Sequence, residues 1–307
     1  MRVRKICVGL VALGFIPAAM ALAFGYLNRY LSVADSVAHF RLHLAVVCAA
    51  AAIFLLVLKA RRWALIAAIA TLAGFAGLGP ALPHFQATPV AGQTITLVQF
   101  NTLFKNPSPQ LSRQWISGQS PDVVTLQEVS RNNMVIVDGL ASQMPSRLFC
   151  EFTSNGGVAV LSRFPKVAEK CLSKLGLVWM TVDIDGKPLT VASLHLSWPY
   201  PFGQWQQIES LRQAFAAMPR PVLISGDFNA APWSEAVRRI AEATSTQPLP
   251  GLRLSLRIGA AGFGPYPVLP IDHILAPAGT SVASIELGPP IGSDHLPIVA
   301  SIGINLQ

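Results

Sequence analysis

The sequence predicts a large α/β domain preceded by three transmembrane helices. Two observations lead to this prediction. Residues 1–85 contain three long runs without charged side chains, which account for much of the 52% hydrophobic composition. Residues 94–307 instead alternate short β-branched runs with segments whose apolar residues recur at helical spacing. Residues 86–93 lie between the two regions and form a predicted linker.

The membrane domain, residues 1–85, is predicted from its three apolar runs, which cover about residues 6–27, 42–58 and 63–82. A helix needs ~20 mostly apolar residues to cross a bilayer, so the first and third runs are long enough and the second is near the lower limit. The basic residues before the first run also fit a cleaved signal peptide. The first run is longer than a signal core, which favours an uncleaved helix.

The distribution of basic residues predicts the orientation of these helices. Six basic residues lie before the first run or between the second and third: Arg2, Arg4, Lys5, Lys59, Arg61 and Arg62. Only Arg29 and Arg41 lie in the other loop. Because positively charged loops stay in the cytoplasm, the pattern predicts a multi-pass protein of the cell inner (cytoplasmic) membrane. Its C-terminal domain is expected to be periplasmic or extracellular.

The domain at residues 94–307 is predicted to contain four helices between its strands. The predicted helices are Ser108–Gly118, Arg131–Gln143, Gln204–Met218 and Trp233–Thr244. Residues 245–270 are rich in glycine and proline and are predicted to form a loop.

Several strand-like runs of this domain carry polar residues at one end. These residues are Asn101, Glu128, His195, Asp227, Asn229, Asp272, Asp294 and His295. A carboxylate binds a cation or activates water, an amide donates to a phosphoryl oxygen, and a second carboxylate holds an imidazole. Taken singly, each residue also fits a turn, a cap or a core position. Together they favour a metal-assisted attack on phosphorus.

In this order the segments resemble the endonuclease/exonuclease/phosphatase superfamily, which has the DNase I-like fold. The resemblance extends from about Thr94 to Ile304. It implies a four-layer α/β/β/α sandwich with its site at one end of two packed sheets. It also implies a metal-dependent hydrolase of phosphoric esters or anhydrides.

The resemblance assigns three residues to a metal. Glu128 is the expected main ligand of Mg²⁺, with Mn²⁺ as an alternative, and Asn101 and Asp294 are expected beside the ion. An oxygen-rich site of this kind suits Mg²⁺, which keeps several of its waters. The absence of thiolates from the motifs argues against structural zinc.

The resemblance assigns five further residues to catalysis. His195 is expected to contact the phosphoryl group, and Asp227 to activate or orient the attacking water. Asn229 is expected to steady the pentacovalent state. His295 is the expected catalytic imidazole, oriented by Asp272.

The charge distribution bears on the substrate. The chain has 23 Lys and Arg and 15 Asp and Glu residues. Eight of the basic residues and one of the acidic residues lie in residues 1–85, which leaves the rest of the chain with a net charge of only +1. A groove that follows nucleic acid would concentrate positive charge in the domain itself. Nucleic acid is therefore a disfavoured partner.

Within the superfamily, the chain is similar to membrane-anchored bacterial proteins of the teicoplanin-resistance phosphatase group. This similarity implies a membrane-tethered phosphatase with the bilayer as one partner and a phosphorylated, lipid-linked substrate, either a phosphate or a pyrophosphate. The alternatives are an extracytoplasmic endonuclease or exonuclease, and a catalytically silent binding protein. Whether Cys150 and Cys171 form a disulfide is left open by the sequence.

Overall fold

The computed structural model describes residues 2–81, 93–154, 156–260 and 263–306. Contacts divide the chain into two compact units. The first consists of Met1–Leu82, Pro199–Phe202 and Trp233–Glu235, and the second of Pro83–Trp198, Gly203–Pro232 and Ala236–Gln307. Apart from Gln93, the predicted linker at residues 86–93 lies outside the described residues.

The described residues of the first unit form four α-helices and two 3₁₀ turns. They are α1 (Arg2–Phe24), a 3₁₀ turn (Gly25–Leu27), α2 (Ser32–Ala38), α3 (Arg41–Val57), α4 (Arg61–Ala76) and a second 3₁₀ turn (Gly79–Ala81). Among the described residues, one helix, Arg2–Leu27, is long and apolar enough to cross a membrane. The pair α2 and α3, bent by 57°, passes the same criterion only if it is counted as a single span.

The prediction of three membrane spans is therefore not supported. The predicted third span, residues 63–82, continues past the end of α4 at Ala76 and reaches residues that are not described. A 16-residue helix is ~24 Å long, whereas the bilayer core is ~30 Å thick. Glycines at 77 and 79 and a proline at 80 end the helix without interrupting the apolar composition. The helix α1 has the length and composition of a membrane anchor or a signal sequence.

The second unit contains all the strands of the described residues and the remaining helices, except that Glu235, the first residue of α8, belongs to the first unit. The strands are β1 (Gln93–Asn101), β2 (Val123–Val129), β3 (Ser146–Thr153), β4 (Gly156–Ser162), β5 (Lys166–Leu172), β6 (Leu177–Ile184), β7 (Lys187–His195), β8 (Val222–Asp227), β9 (Thr246–Pro248), β10 (Leu256–Ala260), β11 (Phe263–Leu269), β12 (Asp272–Pro277), β13 (Ser281–Leu287) and β14 (Ile298–Ile304). The helices are α5 (Pro109–Gly118), α6 (Met134–Gly139), α7 (Gln204–Ala216) and α8 (Glu235–Thr244).

The strands form two six-stranded sheets and a separate hairpin. The first sheet has the order β13-β14-β1-β2-β4-β3, and the second has the order β5-β6-β7-β8-β12-β9. The hairpin consists of β10 and β11. The prediction that residues 245–270 form a loop is therefore wrong. Gly259, Gly264, Pro265 and Pro267 lie within the strands of this two-stranded ribbon, where proline is tolerated because few ladder hydrogen bonds are lost.

The two sheets pack face to face and carry helices on their outer faces. Alternate residues of β1 show this arrangement, since successive side chains of a strand point to opposite faces. Ile95 and Leu97 pack against the second sheet in the inter-sheet core. Val98 and Phe100 instead pack against the helices α5 and α6. The second sheet packs its outer face on α7 and α8 in the same way. The predicted four-layer sandwich is confirmed.

A disulfide between Cys150 and Cys171 joins β3 to β5, with 5.4 Å between the Cα atoms. These are edge strands of different sheets. We expect Cys171→Ala to lower the free energy of unfolding by about 3 kcal/mol, because the bond closes a loop of 21 residues. Thermal unfolding of the full chain with and without reductant measures the effect.

The double variant Cys150→Ala/Cys171→Ala provides the control for this prediction. Once the bond is lost, removing the second sulfur takes away no further cross-link, so the reduced forms of the single and double variants should differ only through the small cavity at buried Cys150. If reductant does not change the unfolding midpoint of the wild type, the disulfide is contradicted.

Candidate active site

The inner faces of the central strands change from apolar to polar toward one end of the sandwich. In β1, Ile95 and Leu97 belong to the inter-sheet core, and Gln99 is the next residue on that face. In β7, Leu189 and Val191 are followed in the same way by Ser193. Parallel neighbours end at the same edge of a sheet. The polar ends therefore gather in one place.

Gly226 lets β8 approach β7 closely enough for the two strands to pair in register. A Cβ at Gly226, which has φ +155°, would lie 1.9 Å from the carbonyl oxygen of Leu194. The strands pair in parallel, with His195 opposite Asp227. The glycine before Asp227 thus fixes the register that places a carboxylate beside an imidazole.

Two of the predicted site residues have left-handed backbone conformations that are uncommon for residues with a side chain. Glu128 has φ +53° and Asn229 has φ +46°. Glu128 lies at an irregularity in the pairing of β2 with β4, between Leu126 and Val129. A bulge of this kind re-aims a side chain, and strained backbone of this kind is concentrated at functional sites.

Asp227 lies at the centre of the site. Its Oδ2 atom is 3.6 Å from Nε2 of His195 and 3.7 Å from Nε2 of His295. The same oxygen accepts a hydrogen bond from Nδ2 of Asn101 at 2.9 Å, and Oδ1 accepts one from the backbone N–H of Asn229 at 2.8 Å. One carboxylate is thus held by two donors while it faces two imidazoles.

His295 and Asp272 form the closest ion pair of the site. Nδ1 of His295 is 2.7 Å from Oδ2 of Asp272, and both side chains are buried. Burial alone would lower the pKa of His295, but the charges of Asp272 and Asp227 outweigh it and raise the pKa to about 10. Burial disfavours the charged form of Asp272 and would raise its pKa. The charge of the His295 imidazolium and its hydrogen bond outweigh burial and hold the pKa of that carboxyl below its usual value. His295 is therefore an imidazolium held by a carboxylate at neutral pH.

Burial decides the direction of the pKa shifts of Asp227 and His195. Loss of water raises the pKa of Asp227 to about 7, although the charge of His295 opposes the shift. Burial lowers the pKa of His195 to about 4, although the charge of Glu128 opposes the shift. His195 is accordingly a neutral imidazole at neutral pH.

One group of side chains has the arrangement of a metal site. Ligand atoms of Glu128, His195 and Asp227 lie within 4.8 Å of one another. Nδ2 of Asn101 donates to Oε1 of Glu128 at 3.1 Å. Glu128 also accepts a hydrogen bond from the backbone N–H of Phe104 at 3.0 Å. Two carboxylates, of which Glu128 is partly exposed, and an imidazole suit a divalent cation that keeps some of its waters.

Asp294 lies outside that group. Its carboxylate is exposed, and Oδ1 accepts a hydrogen bond from Ser293 at 3.3 Å. The charge of Asp294 still contributes to the raised pKa of His295. Its role at the metal stays a prediction, and the geometry brings Asp227 and His195, which were assigned to catalysis, closer to Glu128.

Asn229 is tied to the backbone. Its Nδ2 atom donates to the carbonyl of Leu196 at 2.8 Å, and its buried Oδ1 atom has no hydrogen-bond partner among the described residues. An amide nitrogen has two hydrogens, so one donor remains for a phosphoryl oxygen. The expected role of Asn229 stays a prediction.

A buried polar network behind the site was not predicted from the sequence. Nε2 of Gln99 donates to Oδ1 of Asp272 and to Oε1 of Gln127, both at 2.8 Å. Nε2 of Gln127 donates to Oγ of Ser193 at 2.9 Å, which links the first sheet to the second. The sequence does contain a signal for part of the network, since Gln99 and Ser193 each follow apolar residues at a spacing of two on their strands.

Gln99 is expected to act as a positioning residue for the ion pair of Asp272 and His295. Replacing it with leucine removes the hydrogen bond that fixes the second oxygen of Asp272. We expect kcat to fall about tenfold with KM unchanged, because a hydrogen bond to a charged group contributes about 1.5–3 kcal/mol. Steady-state kinetics measure this change.

Thr125→Val is the matched control for Gln99→Leu. Thr125 also makes a buried inter-sheet hydrogen bond, at 2.7 Å to Ser225. No hydrogen bond among the described residues joins it to Asp272, so its loss should affect stability alone. Equal effects of the two substitutions on kcat would show that Gln99 is merely structural.

Comparison with known proteins agrees with this geometry. The sequence profile of the Endonuclease/Exonuclease/phosphatase family matches residues 98–295, which is more than half of the chain and includes every predicted site residue. The chain belongs to the endonuclease/exonuclease/phosphatase family. Among curated proteins, no relative matches the chain.

Several solved structures share this family fold. A family protein from Leptotrichia buccalis C-1013-b is 15% identical, with a TM-score of 0.55 over 68% of this chain and 100% of that one. The human Nocturnin catalytic domain is 19% identical, with a TM-score of 0.54 over 72% and 99%. Sphingomyelinase C from Streptomyces griseocarneus is 17% identical, with a TM-score of 0.50 over 68% and 99%. At these identities the similarity establishes a common fold.

Proposed function

We propose that this protein is a metal-dependent phosphoesterase, tethered to a membrane, that hydrolyses a lipid-linked phosphate or pyrophosphate. One observation carries the hydrolytic part of the proposal. The carboxylate of Asp227 lies between the imidazoles of His195 and His295, within reach of the carboxylate of Glu128. This set of side chains can hold a cation, activate water and bind a phosphoryl group.

The side chains around Glu128 offer ligand atoms that suit Mg²⁺. Glu128 would be the main ligand of Mg²⁺, with Asn101 beside the ion, because the ligand atoms of Glu128, His195 and Asp227 lie within 4.8 Å of one another. When bound there, Mg²⁺ would polarise a phosphoryl oxygen and offset the charge that develops on it. Mn²⁺ accepts the same ligands.

Asp227 and His295 have different roles in the proposed reaction, and the charge of each side chain sets its role. Asp227, held by Asn101 and Asn229, orients the attacking water at Oδ2 and accepts its proton. His295 carries a proton on Nε2, 3.7 Å from the same oxygen, and donates it toward the phosphoryl group. Asp272 fixes the ring of His295 through Nδ1, so the imidazolium is oriented before the substrate arrives.

Three features support the membrane-tethered, extracytoplasmic part of the proposal. The helix α1 has the length and composition of an anchor. The disulfide between Cys150 and Cys171 is typical of an oxidising compartment outside the cytoplasm. The teicoplanin-resistance phosphatase group, which the sequence resembles, combines a membrane anchor with the same motifs. A tether also raises the effective concentration of a lipid-anchored substrate.

A substrate screen tests the proposed function. The purified full chain with Mg²⁺ is incubated with a prenyl diphosphate, a prenyl phosphate, sphingomyelin, a phosphoinositide and DNA, and released phosphate or cleaved product is measured. We expect hydrolysis of a prenyl phosphate or diphosphate, and its loss in Asp227→Asn. Cleavage of DNA alone would favour the nuclease alternative, and no cleavage of any substrate would favour the silent binding protein.

The topology is tested with a reporter that is active only outside the cytoplasm. Fused after Gln307, the reporter should be active, because the basic residues at the start of α1 hold the N-terminus in the cytoplasm. A second fusion after Arg62 counts the spans, since it is active if α1 alone crosses and silent if α3 crosses as well. An inactive Gln307 fusion would place the site in the cytoplasm and contradict the proposal.

A further inference from the structure

A groove of about 1050 Å³ opens beside the site in the second unit. Two of its lining residues also touch site residues. Phe104 donates its backbone N–H to Glu128, and the ring of Phe152 packs edge-on against His195 at 5.3 Å between centroids. The groove therefore begins at the side of the catalytic centre formed by Glu128 and His195.

Three cations from three different segments line this groove. Lys105 follows β1, Arg131 follows β2, and Lys174 lies in the turn between β5 and β6. All three side chains are exposed, and none forms an ion pair with a carboxylate in the part of the chain that the structure describes. Glu151 is the acidic residue of the lining.

This concentration of charge is local. The chain after residue 85 has a net charge of only +1, so three unpaired cations in one groove stand out from the rest of the domain. Several exposed cations elsewhere have partners, such as Arg163 with Asp122 and Arg212 with Glu209. Unpaired cations above a protein groove raise the local concentration of anions.

The lining of the groove also contains apolar and aromatic side chains. Phe149, Phe152, Val129 and Met134 contribute to it. A wall of low dielectric constant strengthens the attraction between the cations and an anion in the groove. The left-handed backbone of Lys174, with φ +67°, fixes the turn that presents one of the cations.

We propose that this groove binds a second anionic group of the substrate, next to the phosphate that is cleaved. The substrate class is then a diphosphate rather than a phosphate monoester. This inference rests on the proposed function, because the scissile phosphate must lie at Asp227 and His295. Lys105, Arg131 and Lys174 determine specificity, and the metal-binding side chains remain common to both substrate classes.

Binding of two non-hydrolysable probes to the full chain tests the inference. Methylenediphosphonate carries two anionic groups and methylphosphonate carries one. In calorimetric titrations with Mg²⁺ present, we expect the diphosphonate to bind about tenfold more tightly. The variant Lys105→Ala/Arg131→Ala/Lys174→Ala should bind the two probes with equal affinity, and added salt should reduce the preference of the wild type.

A second triple variant controls for net charge. Lys166→Ala/Lys187→Ala/Arg212→Ala removes the same charge from positions that do not line the groove. This variant should keep the preference for the diphosphonate. An equal loss of preference in both triple variants, or a wild type without any preference, would overturn the inference.

Hydrolysis separates this inference from the proposed function. The wild type and the groove variant are compared on a prenyl diphosphate and the matching prenyl phosphate. A groove variant whose kcat/KM falls only for the diphosphate supports both proposals. Hydrolysis with the same substrate preference in both proteins overturns the inference and leaves the proposed function standing. Without hydrolysis, a groove-dependent preference for the diphosphonate supports the binding site and removes the proposed function.

Discussion

Replacing His295 with alanine is expected to lower kcat by about 10²–10⁴-fold, and Asp227→Asn should have a similar effect. This is the usual range for removing a positioned acid or base. His295 contributes a proton at Nε2, and Asp227 faces that atom at 3.7 Å. Substrate affinity should change little, because groups outside this pair supply most of the binding. Steady-state kinetics on the substrate identified by the screen measure both variants.

The double variant shows whether the two residues act as a unit. If they share one proton-transfer step, the loss in Asp227→Asn/His295→Ala should be far smaller than the product of the single losses. Asp272→Asn should cost less than His295→Ala, because it disturbs the imidazole without removing it. Independent, multiplicative losses for Asp227 and His295 would contradict the mechanism proposed for this site.

Glu128→Gln is expected to abolish most of the activity at limiting Mg²⁺ and to recover part of it at high Mg²⁺. The substitution removes a ligand charge while nearly keeping the shape of the side chain. Loss of a carboxylate ligand weakens binding of a divalent cation strongly, by about 10- to 100-fold, the range found for groups that support a metal site. Titration of activity against Mg²⁺ measures the shift in the half-maximal concentration.

Asp294→Asn is the matched comparison for Glu128→Gln. Asp294 was also predicted to lie near the metal, yet it lies outside the group formed by Glu128, His195 and Asp227. We expect its half-maximal Mg²⁺ concentration to change less than that of Glu128→Gln. A larger shift for Asp294 would make Asp294 rather than Glu128 the main ligand. Full activity of Glu128→Gln at limiting Mg²⁺ would show that Glu128 does not bind the metal.

The membrane region illustrates where sequence patterns stop being informative. Apolar composition continues from residue 63 to residue 82, and a prediction from composition alone makes this a span. The helix α4 ends at Ala76, before two glycines and a proline. Composition reports which environment a segment tolerates, whereas backbone preferences decide where its helix ends.

The sequence by itself determined the family fold and the residue types of the site. Polar residues at the ends of apolar strands, in one order along the chain, predicted which side chains meet. Asn101, Glu128, His195, Asp227, Asp272 and His295 do lie at one end of the sandwich, joined by hydrogen bonds, ion pairs or short ligand-atom distances. The motifs could predict this because strand periodicity and chain order fix the edge at which each residue ends.

Only the tertiary structure decided the partners of each side chain. Gln99 reaches Asp272 across 173 positions of the chain, and Gln127 reaches Ser193 across 66. Neither contact follows from a local pattern, because each depends on how two separate sheets are stacked. The same stacking brought Asp227 rather than Asp294 to the side of Glu128, and it joined Cys150 to Cys171. Local sequence sets the face and the end of each strand, and the packing of the sheets sets the distances between them.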